Sequence, residues 1–160
     1  MKANKILILC IPILVILILL FICGLYPILN PHIKKISTLN SFEKDAESMK
    51  IIAQEWKDLS YTYMFTDRTQ CEMGVIDVGY EPNSNITIDT SKNYFEYLLV
   101  EKKYKYIMKH DNAVYFTKYS SLGNGYGVAF SMDGDKPQSE FIISSEKIND
   151  FDGWYFYVMR

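Results

Sequence analysis

Cys71 is the one cysteine beyond residue 23 in a chain of 160 residues. A thiolate is a strong nucleophile, but it needs a base within hydrogen-bond reach and a third group to orient that base. His110, followed directly by Asp111, is the only base of that kind distant from the start of the chain; His32 lies beside an apolar run. Cys71 with His110 is therefore the pairing that could support covalent hydrolysis. A packed or merely exposed cysteine and a histidine next to a turn is the plainer assignment, because no spacing forces the two together. Cys10 and Cys23 fall inside the N-terminal apolar run and read as small apolar residues. No intrachain disulfide is then expected outside that run, although Cys71 could bridge to another chain.

Carboxylates offer a second chemistry. Asp133-Gly134-Asp135 places two of them on one turn, and Glu140 follows. Hard oxygen ligands of this type suit calcium. The EF-hand pattern is absent, however, and Asp-Gly is what a hairpin turn needs in any case. Asn149-Asp150 and Asp152-Gly153 read the same way. Cys-x-x-Cys, His-x-x-x-His and His-Glu-x-x-His spacings are missing, as are the P-loop, the G-x-G-x-x-G turn and the G-x-S-x-G elbow. No metal or cofactor is expected, and the balance leans away from an enzyme.

The elements that would position these residues begin with the N-terminus. Between Lys5 and Lys34 lie 28 positions without a formal charge, His32 taken as neutral. Residues 6–25 are almost all Ile, Leu, Val, Phe or Cys, and a 20-residue helix spans roughly 30 Å, the thickness of a bilayer core. The run is longer than the apolar region of a cleaved signal peptide, and Ile22 with Gly24 is a poor small-x-small site. Phe21 and Ile22 before Cys23 do not suit lipid attachment at that cysteine. An uncleaved signal-anchor crossing the lipid bilayer is the expectation. Lys2 and Lys5 nearly balance Lys34 and Lys35, so the short tail, residues 1–5, decides the orientation: N-terminus cytoplasmic, the rest outside. Pro27 and Pro31 are expected to end the helix, leaving residues 26–37 as a juxtamembrane linker.

Residues 38–160 are expected to form one extracytoplasmic domain. Phe42, Ala46, Met49, Ile52, Ala53, Trp56 and Leu59 mark one face of a helix, with Asn40 and Glu43 as a capping box. Beyond Leu59 the chain turns aromatic and β-branched. Short strands are predicted at 61–66, 75–80, 86–88, 104–109, 113–119, 126–132, 141–143 and 154–159. Residues 92–103 fit a helix or a strand. The predicted fold class is α+β: a transmembrane helix, then one or two helices packed on a four- to five-stranded antiparallel sheet. Gly125, Gly127, Ala129 and Ser131 clear one face of a strand, where a helix is expected to pack, with an open groove or a glycine bend as alternatives. Thirteen tyrosines fall mostly in alternating strands, where cross-strand aromatic pairs stabilise a sheet.

Composition narrows the function. A net charge of −2 lacks the basic excess a nucleic-acid binder needs. With 49% apolar and 22% charged residues the chain has enough to fold. Lys far exceeds Arg and Ile far exceeds Ala, which points to an AT-rich bacterial genome. The Asn85-Ile86-Thr87 sequon would matter only in a eukaryotic secretory pathway. The expected role is a non-enzymatic binding or regulatory module at the cell envelope, acting on a membrane or envelope protein. The alternatives are an envelope hydrolase using Cys71 and His110, and a structural subunit of a membrane complex.

Overall fold

The computed structural model describes residue 15 and residues 30–79, 84–87, 94–121 and 123–160. The predicted anchor, residues 6–25, lies outside the described residues except for Val15. Among the described residues no helix is long and apolar enough to cross a membrane. The chain divides into two units, residues 1–36 and residues 37–160.

Helix α1 spans Pro31–Lys57. In the first unit, Asn30 starts it: its side-chain oxygen accepts from the His32 amide at 2.9 Å and its carbonyl from the Lys34 amide at 3.2 Å. Proline suits the first helical position, where its missing N–H would have no intrahelical partner anyway. Pro31 therefore opens this helix, and the expected linker 26–37 is helical from Pro31 onward, with residues 26–29 outside the described residues. Asn40 and Glu43 are interior positions of α1, so the predicted capping box does not exist.

In the second unit, α1 presents a stripe of Thr38, Phe42, Asp45, Met49, Ile52 and Trp56, all buried. Steps of four and three residues keep that stripe on one face. Beyond it come β1 (Tyr63–Asp67), α2 (Arg68–Met73), β2 (Val75–Val78) and β3 (Asn85–Thr87). A single turn, α3 (Tyr94–Glu96), runs into a π-helical turn at Tyr97–Glu101, so the helical reading holds for these residues. The strands β4 (Tyr106–His110), β5 (Ala113–Ser121), β6 (Asn124–Ser131), β7 (Ile142–Lys147) and β8 (Trp154–Met159) complete the chain.

Among the described residues, eight strands form one antiparallel sheet in the order β3-β2-β1-β4-β5-β6-β8-β7. The α+β class holds, but the sheet is nearly twice the expected width. The reason is the β1–β4 ladder, which aligns Tyr63 with His110 and joins the N-terminal strands to the C-terminal meander. That pairing spans more than forty residues and leaves no local sequence pattern. At one edge, β7 carries Glu146, Lys147 and an irregularity between Ile142 and Ser144, features that discourage pairing with another chain.

The sheet has a core on each side. On one, α1 packs with Met64, Ile76, Ile107, Val114, Phe116, Val128 and Trp154. Phe42 meets Trp154 with ring centroids 4.8 Å apart. Lys109 ends α1 from below: its buried ammonium donates to the Trp56 and Leu59 carbonyls at 2.6 and 2.7 Å. A cation at a helix C-terminus both satisfies orphan carbonyls and opposes the helix dipole. The other side holds Met108, Ala113, Tyr115, Ala129, Tyr157 and Met159.

The small-residue face of β6 belongs to this second core, opposite α1. The expectation that a helix fills it is thus corrected. A side chain at Gly125 would meet Met159 Cγ at 2.9 Å, and one at Gly127 would meet the Phe116 carbonyl at 2.1 Å and Tyr157 Oη at 2.7 Å. Large residues from neighbouring strands of the same sheet occupy the space.

Candidate functional site

Asp67 and Gly74 bracket the short helix that carries Cys71. The Asp67 carboxylate accepts from the Gln70 amide at 3.0 Å, and the Gln70 side chain accepts from the Asp67 amide at 3.0 Å. This is a reciprocal capping box. Gly74 adopts φ 71° and donates to the Cys71 carbonyl, a left-handed C-cap that glycine tolerates at little cost. The Asp67-x-x-Gln70 pattern and the following Gly74 were the available signal for α2, which the sequence reading missed.

Cys71 is 5% exposed and faces the α1-side core. It forms the floor of a cleft of about 420 Å³, lined also by Glu72, Met73, Gly74, Phe95, Glu96 and Val100. Burial pushes the thiol above its ordinary value, and the nearby Glu96 and Glu72 carboxylates push it further in the same direction. A thiol held protonated is a weak nucleophile.

His110 lies across the sheet from Cys71. It shares a face with its cross-strand partner Tyr63 and packs its ring edge-on at 6.4 Å from Tyr63 and 5.6 Å from Phe141. Its Nδ1 is 3.0 Å from the Asp111 carboxylate. Strand residues 107 and 110 point to opposite faces, and Ile107 is the one that shares the core of Cys71. The structure therefore does not bring Cys71 and His110 together, and the hydrolase pairing has neither an activated thiol nor a base beside it.

Asp133 serves its turn. Its carboxylate accepts from Asn112 at 2.8 and 3.0 Å, from the Ser131 hydroxyl at 2.8 Å and from the Asp135 amide at 2.9 Å. The Asn112 bond, then those from Asp135 and Ser131, hold it below the usual carboxylate range. Among the described residues no three His, Cys, Asp or Glu side chains come together as a metal site, so Asp133, Asp135 and Glu140 do not converge.

Asp45 is a polar residue the helical periodicity concealed. Only 3% exposed, it accepts from Tyr97 Oη at 3.0 Å and from Tyr104 Oη at 3.1 Å. The Lys118 ammonium lies 4.1 Å from the centre of the Tyr104 ring. Asp45 thereby ties α1 to the π turn that supplies one wall of the cleft. Its place between Phe42 and Met49 at helical spacing was visible in the sequence, but its partners were not.

Comparison of the chain with known protein families, characterised proteins and solved structures finds no match.

Proposed function

We propose that this chain is a single-pass, membrane-anchored binding or regulatory module whose folded domain lies outside the cytoplasm at the cell envelope and engages a membrane or envelope protein. The observation that carries this reading is the cleft beside α2. Cys71 there lines an open recess with acidic sides and an apolar floor, instead of meeting a base. Pockets of roughly 300–1,000 Å³ are the range in which ligand groups are buried, and 420 Å³ lies within it. The uncharged run at residues 6–25 supports the anchor, and an anchor raises the effective concentration of the domain for a partner in the same membrane. Weak contacts at a small cleft then suffice.

The test is photo-crosslinking in cells, with a benzophenone amino acid at Met73 on the cleft rim or at Asp135 far from it, followed by alkaline washing of membranes. A discrete adduct at position 73 but not 135, in protein that stays with the membrane after washing, is expected. Protein released by the wash, or identical adducts from both positions, would sink the reading.

A further inference from the structure

We propose that the cleft between α2 and the π turn docks a polypeptide segment presenting a lysine or arginine beside an aliphatic side chain; the proposal rests on the binding-module reading and names its partner chemistry. The floor is apolar: Cys71 and Phe95 are buried beneath it, and Val100 closes one side. Met73 stands at the rim with 70% of its surface exposed, the largest exposure among the large apolar side chains of the described residues. Methionine is an adaptable contact surface, and its unbranched chain repacks around a partner at small cost.

Charge selects the occupant. Glu72 and Glu96 stand on opposite walls, one on α2 and the other at the end of α3. Arg68 already pairs with Glu72 at 2.8 Å. Among the described residues Glu96 has no cation within ion-pair distance, so among them it is the one carboxylate lining the cleft without a paired cation. Both carboxylates, after burial itself, help hold the Cys71 thiol above its ordinary value. An acidic segment would be repelled by those carboxylates. A wholly apolar one would cover Glu96 without compensating the water it loses. A lysine or arginine avoids both costs, because its methylene stem lies on the apolar floor while its charge meets Glu96 at the rim. The neighbouring π turn fits such a role, since the wider turn recurs at functional sites.

The experiment uses the full chain in a non-ionic detergent and two fluorescein-labelled heptapeptides, one alternating leucine with lysine and the other leucine with glutamate, followed by fluorescence anisotropy. The lysine peptide is expected to bind saturably. Glu72→Gln with Glu96→Gln should weaken it about tenfold, as should raising salt from about 0.05 to about 0.5 M. Asp152→Asn, an acid removed far from the cleft, should leave binding unchanged. Both glutamates are exposed, and circular dichroism confirms that the variant folds. Equal binding of the two peptides, or of the lysine peptide to the double variant, overturns the proposed chemistry while leaving a binding module in place. If neither peptide saturates, the proposed chemistry is overturned, and the binding-module reading then stands or falls by the crosslinking at position 73.

Discussion

Two stretches of this chain exchange the roles their residues suggest. From Gly125 to Ser131, β6 alternates large residues with small ones, the pattern of a strand that leaves a groove. In the folded protein that face is closed: Met159, Tyr106 and Tyr157 press on Gly125 and Gly127. Around Cys71 the residues suggest only a buried thiol, yet α2 and the π turn stand apart and leave a cleft. The size of a side chain says how much room it vacates. Whether the room stays empty depends on what the adjacent strand or helix brings. On β6 the adjacent strands bring tyrosine and methionine, whereas around Cys71 the residues of α2 and the π turn line a cleft without filling it.

The closed face should break most severely. Gly127→Ala places a methyl against the Phe116 carbonyl, a backbone atom that cannot swing aside. A loss of about 3 kcal/mol or more is expected, read from the urea midpoint. Gly125→Ala should cost less, because its nearest neighbour is the movable end of Met159. If the two substitutions cost the same, the closed face is looser than described.

The same face should respond to alkali. Burial, aided by Asp111, pushes Tyr115 up to about 12, and burial also raises Tyr157 well above the ordinary tyrosine value; on the α1 side, burial beside Asp45 raises Tyr104 likewise. The folded state then holds protons that the unfolded state releases above pH 10. Their stabilisation is complete below pH 10 and fades as pH rises toward 12 and beyond. Tyr115 alone accounts for roughly 3 kcal/mol over that window. Lys109 and Lys118 act in the opposite sense: burial lowers both, so stability rises with pH as the unfolded lysines approach 10.5. The tyrosinate absorbance of Tyr104, Tyr115 and Tyr157 should therefore appear late, in step with the loss of circular dichroism. Early, independent ionisation of all 13 tyrosines would contradict the closed face.

At the open region, effects should be smaller and more local. Asp45→Ala leaves the Tyr97 and Tyr104 hydroxyls without their acceptor. A cost of about 2 kcal/mol is expected, with amide exchange accelerated through residues 97–101 ahead of the sheet. Uniform acceleration across β4 to β8 would show that Asp45 supports the whole domain and not the cleft wall. Met73→Ser, at an exposed position, should change stability by less than about 0.5 kcal/mol. A larger loss, seen in the same urea titration, would mean that Met73 is packed and the rim is not open.

Local chemistry made much of this protein legible from its residues. The buried stripe of α1, the sites of the strands and the turns at Asp111 and Gly134 follow from 3.6- and 2-residue periodicity and from the backbone freedom of turn residues. The late N-cap was misplaced because Asn40 and Glu43 satisfy the local pattern as well as Asn30 and Pro31 do. The helix at 68–73 was overlooked because six residues are too few to display a period. What the sequence by itself determined was which segments bury a face, and the absence of familiar catalytic spacings. Tertiary structure alone decided that β1 joins β4, that Cys71 and His110 fall on opposite sides of the sheet, and that Asp45 meets two tyrosines more than fifty residues away. Those outcomes depend on register and packing between distant segments, and a side chain's type carries no record of which distant neighbour will reach it.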